Sequence, residues 1–116
     1  MLGELQGLNS VNVPSELKEI LREFVEKVKA QLGPAEVYLF GSYARGDWLR
    51  DSDVDLIVVS PAFQGLDLGK RYSLVRRLLP DTISVELLLY TPEEFERLRE
   101  KSVVLRDAAR YWVKLL

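Results

Sequence analysis

At 116 residues, with 47% apolar and 29% charged residues, the chain is long enough for one domain with its own core. It contains neither Cys nor His, which excludes disulfides, thiolate or imidazole metal sites and His-based acid–base catalysis within the chain. A net charge of −2 with both signs mixed leaves no basic footprint for long nucleic acid, and no stretch approaches a membrane span, so a cytoplasmic protein without membrane contact is expected.

Residues 1–13, with Gly3, Gly7, Asn9, Ser10 and Asn12, read as a loose lead-in. Pro14-Ser15 opens a helix to Leu32, in which Leu17, Ile20, Leu21, Phe24, Val28 and Leu32 form one apolar stripe; Gly33-Pro34 ends it. A strand is predicted over 36–40, then a Gly41-Ser42 turn and a short helix broken at Gly46. A second strand covers 54–60 and stops at Pro61. After a loop over 61–67, Leu68, Tyr72, Val75, Leu78 and Leu79 mark a helix up to Pro80. Its basic residues Lys70, Arg71, Arg76 and Arg77 read as a solvated face, the other reading being that Lys70 or Arg71 reaches a triphosphate. A third strand over 82–90 leads into Thr91-Pro92-Glu93-Glu94, a capping box with Pro at the first helical position, and a helix to about residue 101. Ser102 caps a last helix carrying Val104, Leu105, Ala108, Tyr111, Trp112 and Leu115. The order α-β-α-β-α-β-α-α predicts an α/β (α+β) fold, a small mixed β-sheet with helices packed on it.

Chemistry concentrates in one stretch, where Gly41-Ser42 is followed ten residues later by Asp53-Val54-Asp55 at the head of an apolar run. Side chains alternate along a strand, so Asp53 and Asp55 face the same way, about 6.5 Å apart. Carboxylates converging from there repel, and one tends to stay protonated unless cations hold them apart. Mg²⁺ binds through one or two carboxylates plus substrate phosphates, and a pair of such ions ~3.5–4 Å apart suits in-line phosphoryl displacement. Gly41 lets backbone N–H groups approach phosphate oxygens, Ser42 adds a hydroxyl donor, and Arg45 offers a guanidinium one short turn further on. Taken singly these are a turn, a strand cap and a solvated charge. Order, spacing and strand context together point to nucleotidyl transfer.

The segment 39–59, with Gly-Ser-x-Ala-Arg-Gly and then Ser-Asp-x-Asp-Leu, resembles the polymerase-β-like nucleotidyltransferase superfamily. It looks more narrowly like the minimal nucleotidyltransferases, small prokaryotic proteins often paired with a HEPN-domain partner. A looser likeness extends to Tyr90 and the helix start at 91–95. The resemblance implies a single nucleotidyltransferase domain over 1–116, with Mg²⁺ or Mn²⁺ as cofactor and ATP as substrate. It makes Asp53 and Asp55 metal ligands, and it gives Gly41, Ser42 and Arg45 to the phosphates. It also calls for a third carboxylate on the next core strand, where Glu86 stands as ligand and base for the acceptor; the family more commonly has Asp there. Asp81 is the rival, but Pro80-Asp81 reads as a turn, and the other reading of Glu86 is an edge-strand residue pointing at solvent.

Larger members of that superfamily add a helical domain on the acceptor side, so a second copy or another protein is expected to complete the site here. The resemblance implies transfer of AMP to a HEPN-type partner protein through a tyrosine, the pair forming a toxin–antitoxin module with this chain as antitoxin. Tyr111 and Trp112 read as a docking surface or as core packing. Two other functions stand beside this one: a contact-only module that neutralises its partner, and a transferase acting on a small molecule or an RNA end.

Overall fold

The computed structural model describes residues 7–116. Four strands form one mixed sheet in the order β3-β2-β1-β4: β1 (Glu36–Phe40), β2 (Val54–Val59), β3 (Val85–Tyr90) and β4 (Val113–Lys114). β1 pairs antiparallel with β2 and with β4, whereas β2 and β3 are parallel. A parallel pair cannot be joined by a tight turn, and α3 (Leu68–Arg76) lies in the connection that carries the chain from β2 to β3.

Alternation along the strands divides the apolar residues between two faces. Val37, Leu39, Val54, Leu56 and Val58 join one cluster with Leu17, Leu21, Phe24, Val25, Val28 and Leu32 of α1 (Ser15–Leu32) and Val75 of α3. Tyr38, Phe40, Ile57 and Val59 pack on the other face with Phe95 of α4 (Pro92–Leu98) and Leu105 and Ala108 of α5 (Val103–Ala109). A Gly-started turn of helix, α2 (Gly41–Arg45), joins β1 to the loop before β2 and ends on Gly46 at φ +88°. The expected capping box is present: Thr91 Oγ1 accepts from Glu94 N at 3.2 Å, and the Glu94 carboxylate accepts from Thr91 N at 2.9 Å.

Several expectations need correction. The predicted lead-in is not loose over its described part, because Leu8, Val11 and Val13 are buried in the α1 cluster; residues 1–6 lie outside the described residues. Gly7 sits so close to β4 that a Cβ there would collide with the Lys114 carbonyl. The last helix stops at Ala109 rather than running through Leu115. Beyond it Val113 and Leu115 face the α1 side while Trp112 faces the other, a period of two that suits a strand. Finally, the helix before β3 ends at Arg76, short of Pro80, and β3 begins at Val85 rather than 82.

Arg71 departs furthest from its expected solvated face. It is buried, and its Nη1 and Nη2 donate to the two carboxylate oxygens of Glu94 at 2.6 and 3.1 Å. Nε donates to the Leu66 carbonyl at 2.9 Å, and Nη1 also reaches the Leu89 carbonyl at 3.1 Å. Arg76 takes a matching position just before that strand, donating to the Ile83 carbonyl at 2.9 Å and to those of Leu79 and Pro80. Neither residue is directed at the Gly41-Ser42 turn; Arg71 ties α3 to β3, and Arg76 ties it to the segment just before β3.

Candidate active site

The C-terminal end of β1 and the N-terminal ends of β2 and β3 meet at one corner of the sheet, because β1 runs opposite to the other two. The register there places Phe40 beside Asp55 and Asp55 beside Glu86. Paired residues share a face, so Glu86, Asp55 and Phe40 form a row across three strands on the α4–α5 side. Glu86 is exposed and Asp55 partly so, since the helices covering this face leave its corner open.

The Asp55 carboxyl is pushed up to about 7 from its ordinary 3.8. Burial is the main cause, followed by a hydrogen bond with the Glu86 carboxyl, the Glu86 charge and the Asp53 charge, with Arg45 pulling the other way. Asp55 therefore tends to keep its proton when nothing else neutralises the charge around it. Asp53, exposed at the mouth of β2, contributes charge to this pair rather than a contact. Among the described residues no three carboxylates close into a ready-made metal cage. Mg²⁺ dehydrates reluctantly and is held by one or two carboxylates with substrate phosphates completing the shell. The donor set, hard carboxylate oxygens with one proton to displace, fits such an ion.

Gly41 has φ +71° and lies so close to Asp55 that a Cβ would strike the Asp55 carboxylate. Only glycine brings the start of α2 this near the carboxylate. Ser42, half-buried, accepts from Gly46 N through its carbonyl at 2.9 Å, closing the turn of helix. Arg45 donates from Nε to Asp47 at 3.2 Å while its charge acts on Asp55. The structure thus brings Gly41, Arg45, Asp55 and Glu86 together, sets Asp53 at the rim, and leaves Ser42 on the helix beside them.

Sequence reasoning missed what steadies this corner. Trp48 Nε1 donates to the Asn12 carbonyl at 2.8 Å, and the Trp48 ring stacks on Tyr43 with centroids 5.5 Å apart. The segment between α2 and β2 is therefore anchored to residues expected to be a lead-in. The Gly/Asn-rich composition of that stretch hid the apolar 8, 11, 13 positions that fix it. Two clefts flank the carboxylates. One, of about 390 Å³, lies beside Asp53 between the start of α1 and Thr82–Ser84; the other, of about 370 Å³, runs from Phe40, Gly41 and Arg45 to α5.

A nucleotidyltransferase domain family model matches residues 17–111. A Methanocaldococcus jannaschii protein provisionally named a protein adenylyltransferase is 46% identical over 44 residues, 38% of this chain and 44% of that one. Another of the same provisional name and organism is 28% identical over 93 residues, 80% of this chain and 92% of the relative. The crystal structure of a toxin-antitoxin with AMP-PNP contains a chain that superposes with a TM-score of 0.60 at 26% identity, covering 82% of this chain and 71% of that one. The chain spans less than two thirds of several of its curated relatives, 44%, 51% and 31% of three of them.

Proposed function

Because this chain belongs to the nucleotidyltransferase domain family, we propose that it is a metal-dependent transferase moving AMP from ATP to an acceptor hydroxyl. The observation that carries the reading is the row at the sheet corner. Asp55 and Glu86 face each other in register, and the start of α2 is pressed against Asp55 at a glycine with positive φ.

Asp53, Asp55 and Glu86 would hold Mg²⁺ or Mn²⁺, which supplies charge neutralisation to the triphosphate and to the oxygens of an in-line displacement. Backbone N–H groups at Gly41 and Ser42, the Ser42 hydroxyl and the Arg45 guanidinium bind the outer phosphates. Glu86, at the open end of the row, accepts the proton of the acceptor hydroxyl. The acceptor oxygen bonds to the α-phosphorus, the bond from that phosphorus to the bridging oxygen breaks, and pyrophosphate leaves. Exposure of Glu86 leaves the acceptor side open to a protein hydroxyl, which supports a macromolecular acceptor over a small one. The adenylyltransferase names of the relatives and the toxin-antitoxin neighbour with AMP-PNP favour a partner protein and an antitoxin role; that the partner is of HEPN type rests on the resemblance of the 39–59 segment to the minimal nucleotidyltransferases.

The test uses ATP labelled at the α-phosphate, Mg²⁺, purified protein and lysate from the source organism, with the Asp53→Asn/Asp55→Asn double variant alongside. Label on one protein band, with the wild type only, is the expected result. Label on RNA or on a small molecule would redirect the acceptor class. No label from any of four nucleotides, with Mn²⁺ also tried, would replace the enzyme with a contact-only antitoxin.

A further inference from the structure

The cleft between the start of α2 and α5 contains features that phosphate binding does not use. It is lined by Phe40, Val103, Val104 and Ala108, by Asp107 near the end of α5 and Tyr111 just beyond it, and by Gly41 and Arg45 of α2. Val103, Val104 and Tyr111 are 79%, 55% and 43% exposed, large values for apolar and aromatic groups gathered on one short helix and its exit. Trp112, the neighbouring aromatic, is spent differently, packed on Tyr38 at 4.6 Å and on Phe95 at 5.8 Å.

We infer that this cleft receives the base and ribose of the donor nucleotide, with Tyr111 as the stacking platform for a purine. The inference rests on the reading of Gly41, Ser42 and Arg45 as the triphosphate cradle. Three observations carry it. The cleft is continuous with that cradle through Gly41 and Arg45, so a group tethered to bound phosphates enters it directly. It lies at the Phe40 end of the Glu86–Asp55–Phe40 row, opposite the Glu86 end left open for the acceptor, so donor and acceptor do not compete. Its volume of about 370 Å³ is at the low end for small-ligand sites, enough for a nucleoside and too small for a folded partner's anchor and a base together. Tyr111 also accepts a planar stacking partner already, with the Arg110 guanidinium 5.4 Å from its ring centroid. The Asp107 carboxylate lining the same cleft is an acceptor suited to an exocyclic amino group.

Calorimetric titration of the full chain with Mg²⁺ and either α,β-methylene-ATP, which cannot transfer, or inorganic tripolyphosphate separates base from phosphate. Tyr111→Ala should bind the ATP analogue about tenfold more weakly, the order expected for one lost base–aromatic stack, and tripolyphosphate as tightly as the wild type. Tyr111→Phe should retain wild-type affinity for both. Val104→Glu, at an exposed position that leaves the fold intact, should weaken the analogue selectively in the same way. If Tyr111→Ala and Val104→Glu bind the analogue like the wild type while tripolyphosphate also binds, the base lies elsewhere, in the cleft beside Asp53, and the inference falls with the cradle intact. If the wild type binds neither ligand, both readings fall.

Discussion

Asp55→Asn should make the metal-free protein more stable at pH 8 while abolishing transfer. In the folded chain the Asp55 carboxyl is held at about 7 against an ordinary 3.8. A raised carboxyl contributes stability that is fully present below about 4 and is lost as pH rises through about 7. At ~1.36 kcal/mol per pKa unit the full displacement corresponds to about 4 kcal/mol. Asp55 is partly exposed at the corner, so solvent screening leaves about 1–2 kcal/mol at pH 8. Urea unfolding in EDTA is the assay, at pH 8 and pH 6 for wild type and variant. The wild type should regain the first part of that stability, less than about 1 kcal/mol after screening, on going to pH 6 and the rest only toward pH 4, whereas Asp55→Asn should be insensitive over this range. Added Mg²⁺ should then stabilise the wild type at pH 8 and leave Asp55→Asn nearly unmoved. A variant no more stable than wild type at pH 8 in EDTA would refute the reasoning that like charges and burial strain this corner.

Other expectations follow from the same geometry. Gly41→Ala faces both a positive φ, worth about 1–2 kcal/mol, and a collision with the Asp55 carboxylate; calorimetry should show at least a tenfold loss of Mg²⁺-ATP affinity beside the loss of stability. Arg71→Met leaves Glu94 without its cation and two carbonyls without their donor, so denaturant unfolding should report a cost of about 3–5 kcal/mol, partly recovered in Arg71→Met/Glu94→Gln. The Arg71 guanidinium holds the Glu94 carboxyl at about 2. That stability is present above pH 4.5 and lost as pH falls toward 2, a dependence that Arg71→Met should flatten. Trp48→Phe keeps the stack on Tyr43 but loses the bond to the Asn12 carbonyl; it should cost about 1 kcal/mol and raise the ATP requirement more than it lowers the maximal rate.

How far a sequence discloses such a protein depends on the range of the interaction. β1 begins and ends where the strand predicted over 36–40, with its apolar run 37–40, does, and the Thr91–Glu94 capping box is a local code that the structure repeats atom for atom. Gly41, Ser42 and Asp53–Asp55 could be picked out because their spacing along the chain brings them to one turn. Glu86 was harder, since its place beside Asp55 comes from a parallel register set by α3 and the core. β4 escaped notice because two residues of strand carry too little periodicity to oppose a helical pattern that started at 103. Arg71 looked like a surface charge because nothing local to it reveals that Glu94 and two carbonyls await it 23, 18 and 5 residues away. The N-terminal segment was misjudged for a related reason: glycine and asparagine signal turns, and here the turns were needed to let Leu8, Val11 and Val13 descend into the core.

The two arginines on α3 have a consequence outside catalysis. β3 is an outer strand, and Ser84 and Tyr90 spend their carbonyls on β2, so those of Ile83 and Leu89, one residue away, point outward. An outward row of carbonyls beside an apolar strand such as Val85–Tyr90 is a template on which another chain can add a strand. Arg76 occupies the Ile83 carbonyl, two residues before the strand, and Arg71 the Leu89 carbonyl near its end, each a bulky cation anchored to its own helix. The same side chains that fasten α3 in place thereby also occupy two of the outward carbonyls that an added strand would need.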